Sequence, residues 1–253
     1  MPEGDTIAYA AHRIRPILVG AVPQLEARHA ATRGWDRRLE GRAVEAVEPY
    51  GKHLFLRFEG DLAVHSHLKM TGSWYTGQVG ARWRRAPRRA WLVLRARDHE
   101  VVQFDGPILE LLTGLRSRVD RRLANLGPDV LAPEFDYDRF LHRLRGDDPT
   151  RPVGDALLDQ QTVAGIGNLW KAEGCFDTGL DPWRPLANTT DAEAIAVIDA
   201  LRPRMADSAR GGMQMRVKHV YRQPKCMTCR GDIAVRGQGD DNRMTYWCPR
   251  CQR

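Results

Sequence analysis

Long apolar runs are missing from this 253-residue chain: no stretch approaches the roughly 18 consecutive apolar residues of a membrane-crossing helix. Missing too is the basic start of a secretory leader, since Met1-Pro2-Glu3-Gly4-Asp5-Thr6 is acidic and polar. No heptad repeat suggests helical self-assembly, so a monomer without membrane contact is expected. Cysteine is scarce, with five in all. A cytosolic, reducing compartment fits these absences, and disulfides are rare there.

Four of the five cysteines fall in one pattern near the C-terminus, Cys226-x2-Cys229-x18-Cys248-x2-Cys251. Each pair has the spacing at which two thiolates reach one metal, and two pairs complete the sulfur shell of a structural zinc site. One Zn2+ per chain is expected; two disulfides are the alternative that the compartment disfavours. From Arg210 to Arg253 the chain carries ten Lys or Arg and three Asp, a balance of +7 that equals the formal charge of the whole sequence. A basic, metal-ordered module on a body neutral on balance reads as a grip for nucleic-acid phosphates. Between the cysteine pairs, Ile233–Val235 and Met244–Trp247 read as short strands, with Gly237, Gly239, Asp240, Asp241 and Asn242 as the turn. Arg243 then lies near the tip of a zinc-pinned hairpin. Cys175, in a helical-looking segment, is the leftover thiol and reads as core filling.

Asp5 is placed to cap a helix whose stripe is Ile7, Ala11, Ile14 and Leu18, with Pro16 bending it and Gly20 ending it. Runs of strand character follow at Val44–Val47, His53–Phe58, Leu62–Leu68, Ala90–Arg95, Glu100–Phe104 and Ile108–Leu112. Strand and turn alternate there without helices, which predicts an antiparallel sandwich. Arg82–Arg89, with Trp83 embedded, is a basic loop. Around Gly127–Pro133 the pattern turns helical, over Asp136–Leu144, Val153–Gln161, Asn168–Phe176 and Ala192–Ala206. Domains over 1–130, 131–215 and 216–253 are expected. The link Thr162-Val163-Ala164-Gly165-Ile166-Gly167-Asn168 permits a tight turn, with Asn168 placed to cap the next helix and open amides suited to a phosphate.

Removal of Met1 makes Pro2 a secondary amine at the chain end. Such an amine attacks an aldehyde-equivalent carbon and gives an iminium ion, an electron sink that needs no added proton. Glu3 is adjacent and suited to donate a proton at the same centre. Proline at position 2 is common, so these two residues do not carry the reading alone.

Met1-Pro2-Glu3-Gly4, Gly51-Lys52-His53-Leu54-Phe55-Leu56, Leu158-Asp159-Gln160, Gly165-Ile166-Gly167-Asn168-Leu169-Trp170 and Tyr246-Trp247-Cys248-Pro249-Arg250-Cys251-Gln252 occur in that order. As a set, spread over essentially the whole chain, they resemble the formamidopyrimidine-DNA glycosylase / endonuclease VIII family of base-excision repair enzymes. The resemblance implies an α+β chain: an N-terminal helix with an antiparallel β-sandwich, a helix–two-turn–helix domain and a C-terminal four-cysteine zinc-finger hairpin, with damaged DNA bound between lobes. It implies that Pro2 is the Schiff-base nucleophile and Glu3 the proton donor and shuttle. Lys52 would hold the phosphate beside the lesion and assist strand cleavage, with Asn168 and Arg243 gripping phosphate from the helical domain and the finger. Met70 stands where the family places an apolar wedge, an ordinary strand-end core methionine being the other reading. No small-molecule cofactor is implied, and the setting is cytoplasmic, on the nucleoid.

Departures choose the branch. Gly4-Asp5-Thr6 resembles the endonuclease VIII start, and Asp105-Gly106-Pro107-Ile108 stands where the formamidopyrimidine branch has an arginine-rich loop. Lys69 replaces an expected glutamine, and Asn125 an arginine. A bifunctional glycosylase and abasic-site lyase favouring oxidised pyrimidines is the resulting expectation. A purine-lesion enzyme of the same family and a non-catalytic zinc-dependent damage-binding protein are the alternatives.

Overall fold

The computed structural model describes residues 2–114 and 121–253, and they fall into two compact units. The first holds Pro2 and Thr6–Ala124; the second holds Glu3–Asp5 and Asn125–Arg253. Among the described residues no helix is long and apolar enough to cross a membrane.

Helix α1 (Gly4–Leu18) buries Ile7, Ala11, Ile14 and Leu18, the stripe its periodicity predicts. Pro16 lies inside the helix, and Gly20 takes a left-handed φ of 74° just beyond its end. Strand β1 (Gln24–Ala27) and helix α2 (Trp35–Leu39) follow. The remaining strands are β2 (Val44–Tyr50), β3 (His53–Phe58), β4 (Leu62–His67), β5 (Ser73–Gln78), β6 (Ala90–Ala96), β7 (His99–Phe104) and β8 (Ile108–Thr113). They form two four-stranded antiparallel sheets, ordered β1-β6-β7-β5 and β2-β3-β4-β8. One core joins Leu54, Leu56, Val64 and Leu109 of one sheet to Leu92, Leu94 and Val101 of the other, with the stripe of α1 packed in the same cluster. That is the sandwich the strand order implies. Unpredicted are β1, β5 and α2: β1 has four residues and a largely polar outer face, and β5 is half-exposed along its length.

The short helix α3 (Arg121–Ala124) closes the first unit. In the second, α4 (Tyr137–Arg145), α5 (Val153–Leu158), α6 (Asn168–Asp177) and α7 (Asp191–Gly211) surround Phe140, Leu157, Ile166, Trp170, Ile198 and Leu201. Asp136 caps α4 by accepting from the Arg139 amide at 2.9 Å, and Thr190 and Glu193 form a reciprocal capping box on α7. α5 stops three residues short of the predicted Gln161, because the Asp159 side chain accepts the Gln161 amide and turns the chain. A hairpin of β9 (Ala234–Gln238) and β10 (Arg243–Trp247) completes the unit, paired from Arg243↔Gln238 to Trp247↔Ala234. Gly237 lies within β9 rather than in the turn, which spans Gly239–Asn242.

Candidate active site and metal centre

The start of α6 is built by residues from the other end of the chain. Gly4 donates its amide to the Gly165 carbonyl at 2.9 Å. The two backbones approach so closely that a Cβ on Gly4 would stand 2.9 Å from the Gly165 Cα. This brings the buried Glu3 carboxylate onto the N-terminus of α6: it accepts from the amides of Gly167 (3.1 Å), Leu169 (2.9 Å) and Trp170 (3.2 Å). Negative charge at this position is favoured by the helix dipole as well as by the unpaired amides. A Cβ on Gly167 would collide with Glu3 at 2.3 Å, so this position has no room for a side chain.

Two expectations are corrected here. The amides at the start of α6 are not open to a phosphate, because Glu3 already occupies them. Asn168 does not cap the helix; Gly167 is the N-cap residue, and Asn168 is the first residue of α6. The Asn168 side-chain amide instead donates to the Met244 carbonyl of β10 at 2.8 Å, tying helix to hairpin. One turn on, the buried Lys171 donates to Gln238 Oε1 at 3.0 Å and to Thr245 Oγ1, a second tie between α6 and the same hairpin. Burial pushes its ammonium down to about 8.

At the hairpin tip Arg243 is half-buried and pairs with Asp241, its Nη2 lying 2.7 Å from the carboxylate. Below it, Cys226, Cys229, Cys248 and Cys251 gather with all four sulfurs within 4.8 Å of one another. Cys226 and Cys251 sulfurs are 3.8 Å apart, and Cys229 and Cys248 sulfurs 3.5 Å. A tetrahedral zinc with bonds of about 2.3 Å sets its sulfurs roughly 3.8 Å apart, so the donor set fits a metal of that kind.

In the first unit Pro2 is half-buried at the chain end, and Met1 lies outside the described residues. Lys52 follows Gly51 (φ 53°) in the two-residue turn between β2 and β3. Met70 is 70% exposed in the turn after β4, so it does not pack as a core methionine. Asp105, at φ 48°, accepts from Arg85 at 2.5 Å and Arg89 at 2.9 Å and thereby fastens the basic loop. Near Lys52 in sequence, His53 Nδ1 meets His65 Nε2 at 2.8 Å, and His65 Nδ1 meets Glu110 at 3.2 Å. Burial, with Lys69 and Lys52 nearby, lowers His67 to about 4, so it is neutral at pH 7.

Two family profiles match in chain order: the formamidopyrimidine-DNA glycosylase N-terminal domain over residues 1–107 and its H2TH domain over residues 126–218. The chain belongs to the formamidopyrimidine-DNA glycosylase / endonuclease VIII family. It is 39% identical to a probable endonuclease 8 2 of Streptomyces coelicolor, over 100% of this chain and 94% of that protein. To the DNA-(apurinic or apyrimidinic site) lyase Nei2 of Mycolicibacterium smegmatis it is 34% identical, over 100% and 99%. The fold matches that of Lactococcus lactis Fpg, crystallised with DNA containing N7-benzyl-Fapy-dG, at a TM-score of 0.83 and 21% identity over the whole of both chains. In this family member, then, a mixed helix-and-sheet architecture, an H2TH region and four clustered C-terminal cysteines stand together.

Residue patterns missed several groups that this member uses. Lys171 had a signal: it lies three residues after Asn168 and four before Cys175, on one face of a largely buried helix. Glu173, fully buried, accepts the amides of His219, Val220 and Tyr221, and helical spacing alone gives no hint of that loop. Asp5 reads as a cap in sequence, yet its carboxylate is paired with Arg216.

Proposed function

We propose that this family member is a bifunctional DNA glycosylase and abasic-site lyase of base-excision repair, acting on oxidised bases with pyrimidines favoured. The observation that carries the reading is the seating of Glu3 on the amides of α6, which fixes the residue bonded to Pro2. With Met1 removed, the Pro2 nitrogen attacks C1′ of the damaged nucleoside and the N-glycosidic bond breaks. The Glu3 carboxylate takes the proton that the Pro2 nitrogen sheds on bonding to C1′ and returns it to O4′ as the sugar opens, which leaves a C1′ iminium on Pro2. The iminium acidifies the C2′ hydrogen, whose loss expels the 3′ phosphate; a second elimination releases the 5′ phosphate. Lys52 and Arg243 neutralise phosphates, Asn168 holds phosphate with the second N–H of the side-chain amide whose first goes to Met244, and Met70 fills the stack vacated when the nucleotide turns out of the duplex.

The partner is damaged DNA, and the protein acts as a monomer in the cytoplasm, on the nucleoid, without a small-molecule cofactor. One structural Zn2+ held by Cys226, Cys229, Cys248 and Cys251 would fix the hairpin that carries Arg243. The proposed division is a catalytic sandwich over 1–130, a helical DNA-binding domain over 131–215 and a finger over 216–253. Gly4-Asp5-Thr6 and Asp105-Gly106-Pro107-Ile108 support the endonuclease VIII branch.

Borohydride reduction in the presence of an abasic duplex tests the chemistry, and duplexes with thymine glycol, 5-hydroxyuracil or 8-oxoguanine test the branch. A covalent adduct and faster release of the pyrimidine lesions are expected. Tight DNA binding with no adduct would leave a damage-binding protein, and preferential 8-oxoguanine release would move the chain to the purine branch.

Two substitutions probe single roles. Glu3→Gln is expected to slow base release by roughly 10²- to 10⁴-fold, the usual worth of one positioned proton transfer. It should also lower thermal stability, because a carboxamide nitrogen cannot accept the α6 amides; an unchanged melting temperature would contradict the capping role. Arg243→Ala is expected to flatten the salt dependence of DNA binding by about one unit of log–log slope. Strand cleavage should weaken while melting barely moves, since the Arg243 guanidinium pairs with Asp241 two residues away in the exposed hairpin turn. A large loss of thermal stability would show that its work is structural.

A further inference from the structure

The buried ion pair between Asp5 and Arg216 has no part in the chemistry described so far. Asp5 is fully buried, and the Arg216 side chain is 6% exposed. The guanidinium meets the carboxylate as a fork: Nη2 lies 2.5 Å from Oδ1 and Nε 2.7 Å from Oδ2. Ser208 of α7 donates its hydroxyl to Oδ2 as well. Arg216 comes from a segment that otherwise faces solvent, with Met213, Met215 and Val217 all strongly exposed. It is the inward anchor of that segment.

Buried ion pairs contribute little net stability, because desolvation offsets much of their attraction. A planar fork restricts both the distance and the direction of the carboxylate it holds. Here the carboxylate belongs to the third residue of a rigid run. Glu3 is fixed on α6, Gly4 on the Gly165 carbonyl, and Asp5 on Arg216 and Ser208. The residue bonded to this run is Pro2. The Pro2–Glu3 peptide bond is planar, so once residues 3–5 are immobile, rotation about the Pro2 Cα–C bond is the one torsion left to aim its nitrogen, and the ring carries the lone pair in a fixed direction from Cα.

We infer that Arg216, through Asp5, is a positioning residue for the N-terminal imino group, holding residues 3–5 so that the Pro2 nitrogen is presented in one direction. The inference rests on the proposed role of Pro2 as nucleophile. Misplacement of a reacting atom by about 1 Å costs on the order of 10²-fold in rate, whereas affinity for DNA depends on phosphate contacts elsewhere.

The test compares wild type, Arg216→Lys, which keeps charge and loses the fork, and the double variant Asp5→Leu/Arg216→Met, which removes both charges. Each is assayed by single-turnover borohydride trapping on an abasic duplex at saturating protein. Affinity for a duplex with a tetrahydrofuran abasic analogue and the melting temperature are measured alongside. The double variant is expected to fold, since apolar replacement of a buried pair is often tolerated. Its maximal trapping rate should fall roughly 10- to 100-fold, with affinity for the analogue within about threefold. Arg216→Lys should lie between. Trapping at the wild-type maximal rate by either folded variant overturns the inference, as does a loss confined to affinity. If the double variant does not fold, Arg216→Lys alone decides by the same split between rate and affinity. Absence of trapping by wild type itself would instead remove the Pro2 nucleophile.

Discussion

Protein carrying one extra residue ahead of Pro2 is expected to form no adduct with an abasic duplex under borohydride, while still binding a duplex that contains a tetrahydrofuran analogue. The extra residue turns the Pro2 nitrogen into an amide, whose lone pair is delocalised into the carbonyl and cannot attack C1′. Pro2→Gly should behave differently. A terminal glycine keeps a nucleophilic primary amine, but its imine must gain a proton before it withdraws electrons from C2′. Trapping should therefore slow by on the order of 10²-fold, the usual worth of one proton transfer, rather than vanish. The comparison separates a general need for an amine from a specific need for a secondary one. Intact mass of the active protein must show Met1 absent. An adduct formed at full rate by the extended protein would place the covalent bond on another amine, with Lys52 the first to examine.

What the sequence made legible follows from the range of each interaction. The four sulfurs could be assigned to one site because each pair is a local motif, and two such motifs fix the donor set without knowledge of the fold. Strands β3 and β6 were readable because their apolar content is dense; β1 and β5 were not, because half-exposed edge segments carry weak periodicity. Asn168 shows the limit most clearly. Its residue type suits a cap, but Glu3, 164 residues away from Gly167, fills the helix end first, and the freed asparagine reaches the hairpin. The Asp5–Arg216 pair spans 211 residues; no local pattern could join them.

Given the proposed metal, the same long-range ties would make the hairpin's dependence on it a property of the whole second unit. Cys229→Ser is expected to release the metal, since a serine hydroxyl does not replace a thiolate in a sulfur shell, and metal binding contributes on the order of 10 kcal/mol to the folding of such modules. With β9 and β10 disordered, Asn168 loses the Met244 carbonyl and Lys171 loses Gln238 and Thr245. Lys171 is the costly loss, because a buried ammonium without acceptors destabilises the fold around it. The disturbance thus enters α6, the helix whose N-terminus holds Glu3. Zinc release should accordingly be accompanied by a lower melting temperature, weaker DNA binding with a shallower salt dependence, and slower trapping at saturating protein. Proteolysis should cut first within 234–247. A variant that lost its metal yet kept wild-type affinity would show that the hairpin grips no phosphate. One that lost affinity alone, with melting and trapping intact, would show that the ties through Asn168 and Lys171 do not carry the finger's order into α6.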